Sequence, residues 1–198
     1  MPDYSYEQKA VSSGYSAVCG VDEAGRGPLA GPVCAAAVIL PEGAVIEGLN
    51  DSKKLTEKRR EALFDKVKET AISWSVAFAS IEEIEEHNIL NATFIAMNRA
   101  IEGLNVSADF AIIDGNRVPK GIKVPCETVV KGDSKSMSVA AASILAKVSR
   151  DRLMLELDEK YPQYEFKRHK GYGTALHIEK IKEYGPSECH RPSFLKKI

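Results

Sequence analysis

Four acidic residues, spread over three segments of the chain, have the types and positions needed for a metal-dependent reaction. They are Asp22, Glu23, Asp114 and Asp133. Each segment follows an apolar, strand-like run, and charge at the end of a buried strand is costly unless it is paired or binds a metal. Neighbouring carboxylates also repel one another, so a bound divalent cation would account for both features. If the three strand ends meet at one edge of a sheet, the four acids could surround a pair of such ions.

An ordinary structural explanation also exists for each segment. The first pair of acids could begin a solvated loop, Asp114 could cap the loop that follows it, and Asp133 could belong to a simple Lys-Gly-Asp turn. The four histidines, at positions 87, 169, 177 and 190, show no recognised metal-ligand spacing, and a zinc site built on Cys189-His190 and His177 is disfavoured. If a metal binds, the acids therefore favour a hard cation with oxygen ligands.

A glycine-rich turn, residues 25–32, follows the first acidic pair and allows two interpretations. Its Gly25-x-Gly27-x-x-Ala30 spacing matches the dinucleotide-binding fingerprint, with Asp51 at about the expected later distance. That fingerprint requires a helix to begin inside the motif. Prolines 28 and 32 and the short apolar run 33–40 favour a second strand, so the turn is predicted to join two strands as a wide hairpin. The alanines at 35–37 keep a dinucleotide-binding module as the alternative function.

The elements that must position these residues alternate between strand and helix patterns. Thr56 is a candidate N-cap for a helix that runs to about residue 70, and the capping box Ser80-x-x-Glu83 opens a short acidic helix. A longer helix follows it and stops around Gly103, and two more helices are predicted over 138–160 and 174–184. Strands are predicted over 17–21, 33–40, 72–78, 110–113 and 124–130. The run 110–113 suits a strand buried on both faces, and it delivers Asp114 at its carboxyl end, where ligand sites of open α/β sheets tend to lie. The helix stripe that contains Phe94 and Met97 is assigned to the core.

Length, composition and charge narrow the class of protein. A chain of 198 residues with 44% hydrophobic and 28% charged residues can bury a sizeable core as a soluble globular protein. The net charge of −1 excludes a global field that attracts nucleic acid. Basic residues nevertheless cluster at 53–60 and at 161–198, so a polyanion would have to be bound by local patches.

Targeting and cysteine patterns indicate the compartment. The N-terminus has neither a basic n-region nor an apolar h-region, and no apolar stretch approaches about 20 residues. We therefore expect a cytoplasmic protein that makes no membrane contact. The four cysteines lack CxxC pairing and are expected to be buried and reduced. The tail ending in Leu195-Lys196-Lys197-Ile198 contains no convincing clamp-binding peptide, so the sequence names no protein partner.

Five sequence blocks together resemble the bacterial ribonuclease HII family. They are GVDEAGRGPLAGPV, LNDSKKLTEKRR, IIDGN, KGD followed by AAASILAKVSRD, and HKGYGT. The blocks occur in family order between positions 20 and 174, and their combination is very specific although each one alone is weak. The resemblance implies an α/β protein with a ribonuclease H-like fold, in which helices flank a mixed central sheet. It also implies a single catalytic domain over 1–198, with a C-terminal helical appendage at about 161–198 that binds substrate.

The same resemblance implies an activity and a set of site residues. The activity is a two-metal endonuclease that cuts the RNA strand of RNA–DNA hybrids and nicks DNA on the 5′ side of an embedded ribonucleotide. The implied ligands of two Mg²⁺ or Mn²⁺ ions are Asp22, Glu23, Asp114 and Asp133. The implied substrate-binding residues are Gly25, Arg26 and Gly27 at the ribose 2′-hydroxyl, Tyr172 at the following deoxyribose, and Lys53, Lys54 and Lys147 at phosphates.

Overall fold

Five strands form one mixed sheet in a computed structural model that describes residues 1–50, 52, 55–196 and 198. The strands are β1 (Val18–Ala24), β2 (Val33–Ile39), β3 (Ser73–Ala79), β4 (Phe110–Asp114) and β5 (Cys126–Val129), in the spatial order β3-β2-β1-β4-β5. The first three strands pair antiparallel, whereas β4 is parallel to β1 and β5 is parallel to β4. The carboxyl ends of β1, β4 and β5 therefore lie at the same edge of the sheet, where the acids were expected.

Among the residues that the structure describes, seven α-helices surround or extend this sheet. They are α1 (Ser5–Ser12), α2 (Glu57–Thr70), α3 (Ile81–Glu102), α4 (Met137–Lys160), α5 (Phe166–His169), α6 (Ala175–Tyr184) and α7 (Pro192–Leu195). The predicted N-cap Thr56 is confirmed, since its side chain accepts a hydrogen bond from the amide of Arg59. Thr174, predicted as the first residue of its helix, instead caps it by accepting from the amide of His177. Ser80 and Glu83 form the predicted capping box. Asn88 interrupts α3 with a φ of 65°, so the short acidic helix and the longer one that were predicted meet at this kink.

The helices cover both faces of the sheet. All seven residues of β2 are buried, because α3 packs on one face and α2 and α4 pack on the other. Alternate residues of β2 enter different cores: Val33 and Ala35 pack with the α3 side, and Cys34 and Ala36 with the α4 side. The expected α/β arrangement, a mixed central sheet flanked by helices, is confirmed.

The N-terminal end of α4 lies directly against β1. Gly20 marks the contact, because a Cβ atom added there would lie 2.1 Å from the backbone carbon of Ser138 and 2.2 Å from the backbone nitrogen of Val139. The small residues at the start of α4, which include Ala140 to Ala142, are all buried. Only a glycine on β1 permits this distance between helix and strand.

Several sequence-based boundaries differ from the structure. The last strand is shorter than the predicted 124–130, and Ile72 precedes β3 and is 54% exposed rather than buried. The turn at 25–32 joins β1 to the antiparallel β2, which confirms the predicted hairpin. The dinucleotide-binding alternative requires a helix at this place, and it gains no support.

The residues after α4 fold back against its C-terminal half and the glycine-rich turn. A small buried cluster joins the three parts through Ala30 of the turn, Met154 of α4, and Tyr164, Phe166 and Cys189 of the C-terminal segment. None of the helices among the described residues has both the length and the apolar content that crossing a membrane would require.

Candidate active site

Three of the four predicted acids meet at the carboxyl edge of the sheet. One side-chain oxygen from each of Asp22, Glu23 and Asp114 lies within 4.8 Å of the others. The parallel register pairs Val21 with Ile113, so Asp22 and Asp114 occupy the next positions on adjacent strands. Their side chains belong to the α4 face of the sheet, because successive strand residues alternate between the faces.

Asp22 and Glu23 share the site in a way that differs from the sequence-based expectation. Successive strand residues point to opposite faces, so two adjacent acids would be expected to share a site only where the strand bends or ends, but β1 continues to Ala24. The Asp22 carboxylate instead turns along its own strand and accepts a hydrogen bond of 2.7 Å from the Glu23 amide. Glu23 lies beside a cavity under α3, and the guanidinium of Arg26 approaches its carboxylate at 3.3 Å. The two acids thus approach the sheet edge from opposite faces.

Asp133 lies close by on the segment that connects β5 to α4. It is buried, at 4% exposure, in a short 3-10 helix over Gly132–Ser134. The Gly132 amide donates a 2.6 Å hydrogen bond to Asp114, which fixes this segment against the end of β4. The negative charge of Asp133 also contributes to raising the pKa of Asp22. The fourth acid therefore belongs to the same electrostatic cluster, although it lies outside the group of three.

The cluster has the properties of a cation site. Burial raises the pKa of Asp22 well above its ordinary value, and the charges of Glu23 and Asp114 raise it further. All donor atoms are carboxylate oxygens, which Mg²⁺ and Mn²⁺ prefer. A divalent cation would lower the mutual repulsion that raises this pKa, so the residues present fit such an ion.

The glycine-rich turn forms one wall of a cavity next to the acids. The cavity is lined by Glu23, the turn residues 24–27, Ser52, Ser143, Lys147 and Tyr172. Gly25 has a φ of +97°, and a Cβ atom there would lie 2.0 Å from the buried guanidinium nitrogen Nε of Arg150. The structure therefore brings the turn, Lys147 and Tyr172 together with one of the acids.

Tyr172 presents its ring at the mouth of this cavity. The side chain is 42% exposed, with the Lys147 ammonium 5.8 Å and the Arg150 guanidinium 5.9 Å from the ring centroid. Lys147 also donates a 2.6 Å hydrogen bond to Asp151, one helical turn further along α4. Burial lowers the pKa of Lys147, and the ion pair with Asp151 opposes that shift. The other two predicted phosphate contacts, Lys53 and Lys54, lie outside the described residues.

A chain of hydrogen bonds between histidines supports the backbone of Tyr172. The Ser187 amide donates to Nδ1 of His190 at 3.0 Å, so a neutral His190 ring carries its proton on Nε2. That nitrogen lies 3.1 Å from Nε2 of His177, whose Nδ1 donates in turn to the Tyr172 carbonyl at 2.9 Å. Burial lowers the pKa of both rings to about 4, which keeps them neutral near pH 7. These histidines are structural, and the disfavoured zinc site gains no support.

Two buried arginines were not found from the sequence. Arg150 and Arg191 are at most 1% exposed, and their guanidinium groups donate to backbone carbonyls of the glycine-rich turn. Arg150 lies four residues after Ala146 and four before Met154, on the buried side of α4. A charged residue in this otherwise apolar stripe could have indicated a buried arginine from the sequence. Arg191 lies beyond the last predicted helix and carries no comparable local signal.

Comparison with known proteins identifies the family. The family model described as Ribonuclease HII matches residues 19–197. The Ribonuclease HII of Caldicellulosiruptor bescii is 53% identical over 195 residues, which cover 98% of this chain and 94% of that relative.

Solved structures show the same fold. The ribonuclease H2 of Pyrococcus horikoshii OT3 superposes with a TM-score of 0.76 at 30% identity, covering 90% of this chain and 93% of the other. The RNase HII of Archaeoglobus fulgidus, whose structure was solved in complex with PCNA, gives a TM-score of 0.76 at 27% identity, with coverage of 89% and 94%.

Proposed function

Because this chain belongs to the ribonuclease HII family and is thus an endonuclease that cleaves RNA in RNA–DNA hybrids, we propose that it also nicks duplex DNA at single embedded ribonucleotides. The proposed cut lies on the 5′ side of the ribonucleotide and leaves a 3′-hydroxyl and a 5′-phosphate. Such a reaction would start the removal of misincorporated ribonucleotides from DNA. A protein with this role would act on chromosomal DNA, which in a bacterial cell lies in the cytoplasm.

The observation that carries this proposal is the position of the acid cluster beside the glycine-rich turn. Glu23 lines the cavity that also contains the turn and Tyr172, and its carboxylate lies within 4.8 Å of Asp22 and Asp114. A nucleotide whose sugar contacts the turn would thus have a phosphate within reach of the acids. This arrangement supports sugar recognition and phosphodiester cleavage on adjacent surfaces.

In the proposed mechanism the four acids, Asp22, Glu23, Asp114 and Asp133, hold two Mg²⁺ or Mn²⁺ ions. When bound, the ions supply activation of a water molecule and neutralisation of charge on the leaving oxygen. Asp22, whose pKa is raised by burial and by the charges of the other three acids, would hold the ions together with them. The hydrogen bond from Gly132 to Asp114 keeps that carboxylate oriented toward the edge of the sheet.

The substrate roles follow from the walls of the cavity. We assign the ribose 2′-hydroxyl to the backbone of Gly25, Arg26 and Gly27, where the absence of side chains on the glycines permits a close approach of the sugar. Tyr172 is assigned to the deoxyribose that follows the ribonucleotide, and Lys147 to a neighbouring phosphate. Lys53 and Lys54 remain predicted phosphate contacts.

The proposal is tested on a DNA duplex that contains one ribonucleotide in a labelled strand. With Mg²⁺ we expect a single nick immediately 5′ of the ribonucleotide, and with EDTA in place of Mg²⁺ we expect none. An all-DNA duplex of the same sequence is the control and should stay intact. Cleavage of a uniform RNA–DNA hybrid without nicking of the single-ribonucleotide duplex would contradict the proposed specificity.

The exposed ring of Tyr172 leads to a second expected result. Tyr172→Ala should reduce cleavage of the single-ribonucleotide duplex by roughly 5- to 150-fold, the equivalent of the ~1–3 kcal/mol that an aromatic contact with a nucleotide contributes. The loss on a uniform RNA–DNA hybrid should be smaller, because neighbouring ribonucleotides offer alternative positions for cleavage. The measurement is kcat/KM of wild type and variant on both substrates, and the ratio of the values for the single-ribonucleotide duplex and the hybrid is compared between the two proteins.

Tyr184→Ala is the matched control for this substitution. Tyr184 is also an exposed tyrosine of the C-terminal part, at 51% exposure, but it does not line the cavity. It should leave the ratio between the two substrates unchanged. An equal loss on both substrates in Tyr172→Ala, with the fold intact by circular dichroism, would reduce Tyr172 to a packing role.

A further inference from the structure

We infer that the buried Arg191 is a positioning residue for sugar recognition, because its guanidinium orients the peptide groups of the glycine-rich turn toward the substrate cavity. The inference rests on the proposed function, in which this turn contacts the ribose. It adds a residue that lies far away in the sequence and does not touch the substrate itself.

Arg191 contacts backbone oxygens along the turn, from Gly25 to Gly31. Its Nη2 donates to the carbonyl of Gly25 at 2.7 Å, and its Nη1 donates to the carbonyls of Arg26 at 3.1 Å and Pro28 at 2.8 Å. Its Nε donates to the carbonyl of Gly31 at 2.8 Å. One side chain thereby fixes four carbonyls of a segment that forms neither helix nor strand.

The direction of these carbonyls determines the direction of the amides. The described part of the chain contains no cis peptide bonds, and in a planar trans peptide the amide of the next residue points away from the carbonyl. When Arg191 binds the carbonyls of Gly25 and Arg26, the amides of Arg26 and Gly27 must point away from it. Neither amide donates to an acceptor among the described residues, and both residues line the cavity beside Tyr172.

Two amides held in this way form a preorganised pair of donors for a sugar oxygen. A hydroxyl group offers two acceptor lone pairs, whereas the 2′ position of a deoxyribose offers none. Preorganisation matters because an unrestrained glycine-rich turn would lose conformational entropy on binding the sugar. The buried positive charge of Arg191 therefore acts through the peptide groups of the turn.

The geometry of the guanidinium explains why arginine is needed. A planar group with five N–H donors reaches several carbonyls at once, whereas the ammonium of lysine is a point charge on a flexible stem. The ring of Phe194 lies 5.1 Å from the Arg191 guanidinium carbon. A lysine at 191 would keep the charge and much of the buried volume but would leave part of the turn unrestrained.

The test compares binding of two duplexes by wild type and Arg191→Lys in EDTA, with no cleavage taking place. The wild-type protein should bind the duplex with one ribonucleotide more tightly than the all-DNA duplex of the same sequence. In Arg191→Lys the ratio of the two affinities should fall by roughly 10- to 100-fold, the range of effects expected when a group that positions the substrate is displaced. Its affinity for the all-DNA duplex, which depends on phosphate contacts, should change little.

Tyr164→Phe is the matched control, because it removes a partly buried hydrogen bond of 2.7 Å to the Gly185 carbonyl in the same C-terminal part and leaves the hydrogen bonds of the turn in place. This variant should keep the wild-type preference. A folded Arg191→Lys protein that also keeps the preference would overturn the inference. A wild-type protein that binds both duplexes equally would contradict the proposed function itself, so the two failures are distinguishable.

A measurement on the wild-type protein tests the inference even if Arg191→Lys does not fold. Backbone amide hydrogen exchange is followed at Arg26 and Gly27 with each duplex bound. The single-ribonucleotide duplex should slow exchange at both amides more than the all-DNA duplex does. Equal exchange rates in the two complexes would show that these amides do not contact the sugar and would overturn the inference.

Discussion

Asp22→Asn is expected to lower the rate of cleavage by roughly 10²- to 10³-fold or more, as does the loss of a group that stabilises charge in a transition state. The substitution removes one negative charge from the centre of the acid cluster and barely changes the shape of the side chain. The amide oxygen can still accept the hydrogen bond from the Glu23 backbone. The measured quantity is kcat on a hybrid or single-ribonucleotide duplex with saturating Mg²⁺.

The same substitution should raise the stability of the metal-free protein. Asp22 is 3% exposed, and burial together with the charges of Glu23 and Asp114 raises its pKa in the folded state above that in the unfolded state. The folded state therefore binds more protons, and stability falls as the pH rises from the unfolded pKa of about 3.9 through the raised folded pKa. Asparagine does not titrate, so the stability gain of the variant should grow with pH.

Thermal unfolding in EDTA at pH 5 and pH 8 measures this gain. Asp65→Asn, which changes an exposed acid on α2, is the control and should alter neither cleavage nor the pH dependence. Wild-type rates in Asp22→Asn with Mg²⁺ would contradict the assignment of the cluster as the metal site. Asp133→Asn in the same cleavage assay tests whether the fourth acid, outside the group of three, shares that role.

Gly20→Ala is expected to destabilise the protein more than other single-methyl additions. The new Cβ atom would lie within 2.5 Å of three backbone atoms of Ser138 and Val139, and no side-chain rotation can relieve a contact with backbone. The start of α4 must move away from β1, which should cost ~2–4 kcal/mol. For a chain of this size the midpoint of thermal unfolding should fall by roughly 4–16 °C.

Gly27→Ala serves as the stability control for Gly20→Ala. Its added Cβ atom would meet only a ring carbon of Tyr172 at 3.9 Å, so its unfolding midpoint should remain close to that of the wild type. Gly20→Ala should also reduce cleavage, because α4 begins just after the segment that carries Asp133. If the unfolding midpoint of Gly20→Ala equalled that of the wild type, α4 would be able to move away from β1 without loss of stability, contrary to this prediction.

The local features of the active site could be predicted from the sequence. The acids Asp22, Glu23 and Asp114 lie near the carboxyl ends of strands whose apolar runs are visible in the chain, and caps such as Ser80 mark the helix starts. These signals depend on neighbouring residues, because hydrophobic periodicity and capping act over a few positions. The apolar run 110–113 also predicted a strand buried on both faces, whereas helices flanking the whole sheet were implied only by the family resemblance.

Tertiary structure alone decided how these parts are held together. Arg191 binds carbonyls that precede it by as many as 166 residues, and the carboxylate of Glu7 accepts a 2.9 Å hydrogen bond from the Ser138 amide, 131 residues away. Every residue has a backbone carbonyl, so no local pattern indicates which carbonyls a distant arginine will bind. The contact of Gly20 with α4 likewise depends on the packing of two distant elements. The sequence by itself determined which residues could do the chemistry, whereas long-range backbone contacts decided how rigidly they are presented.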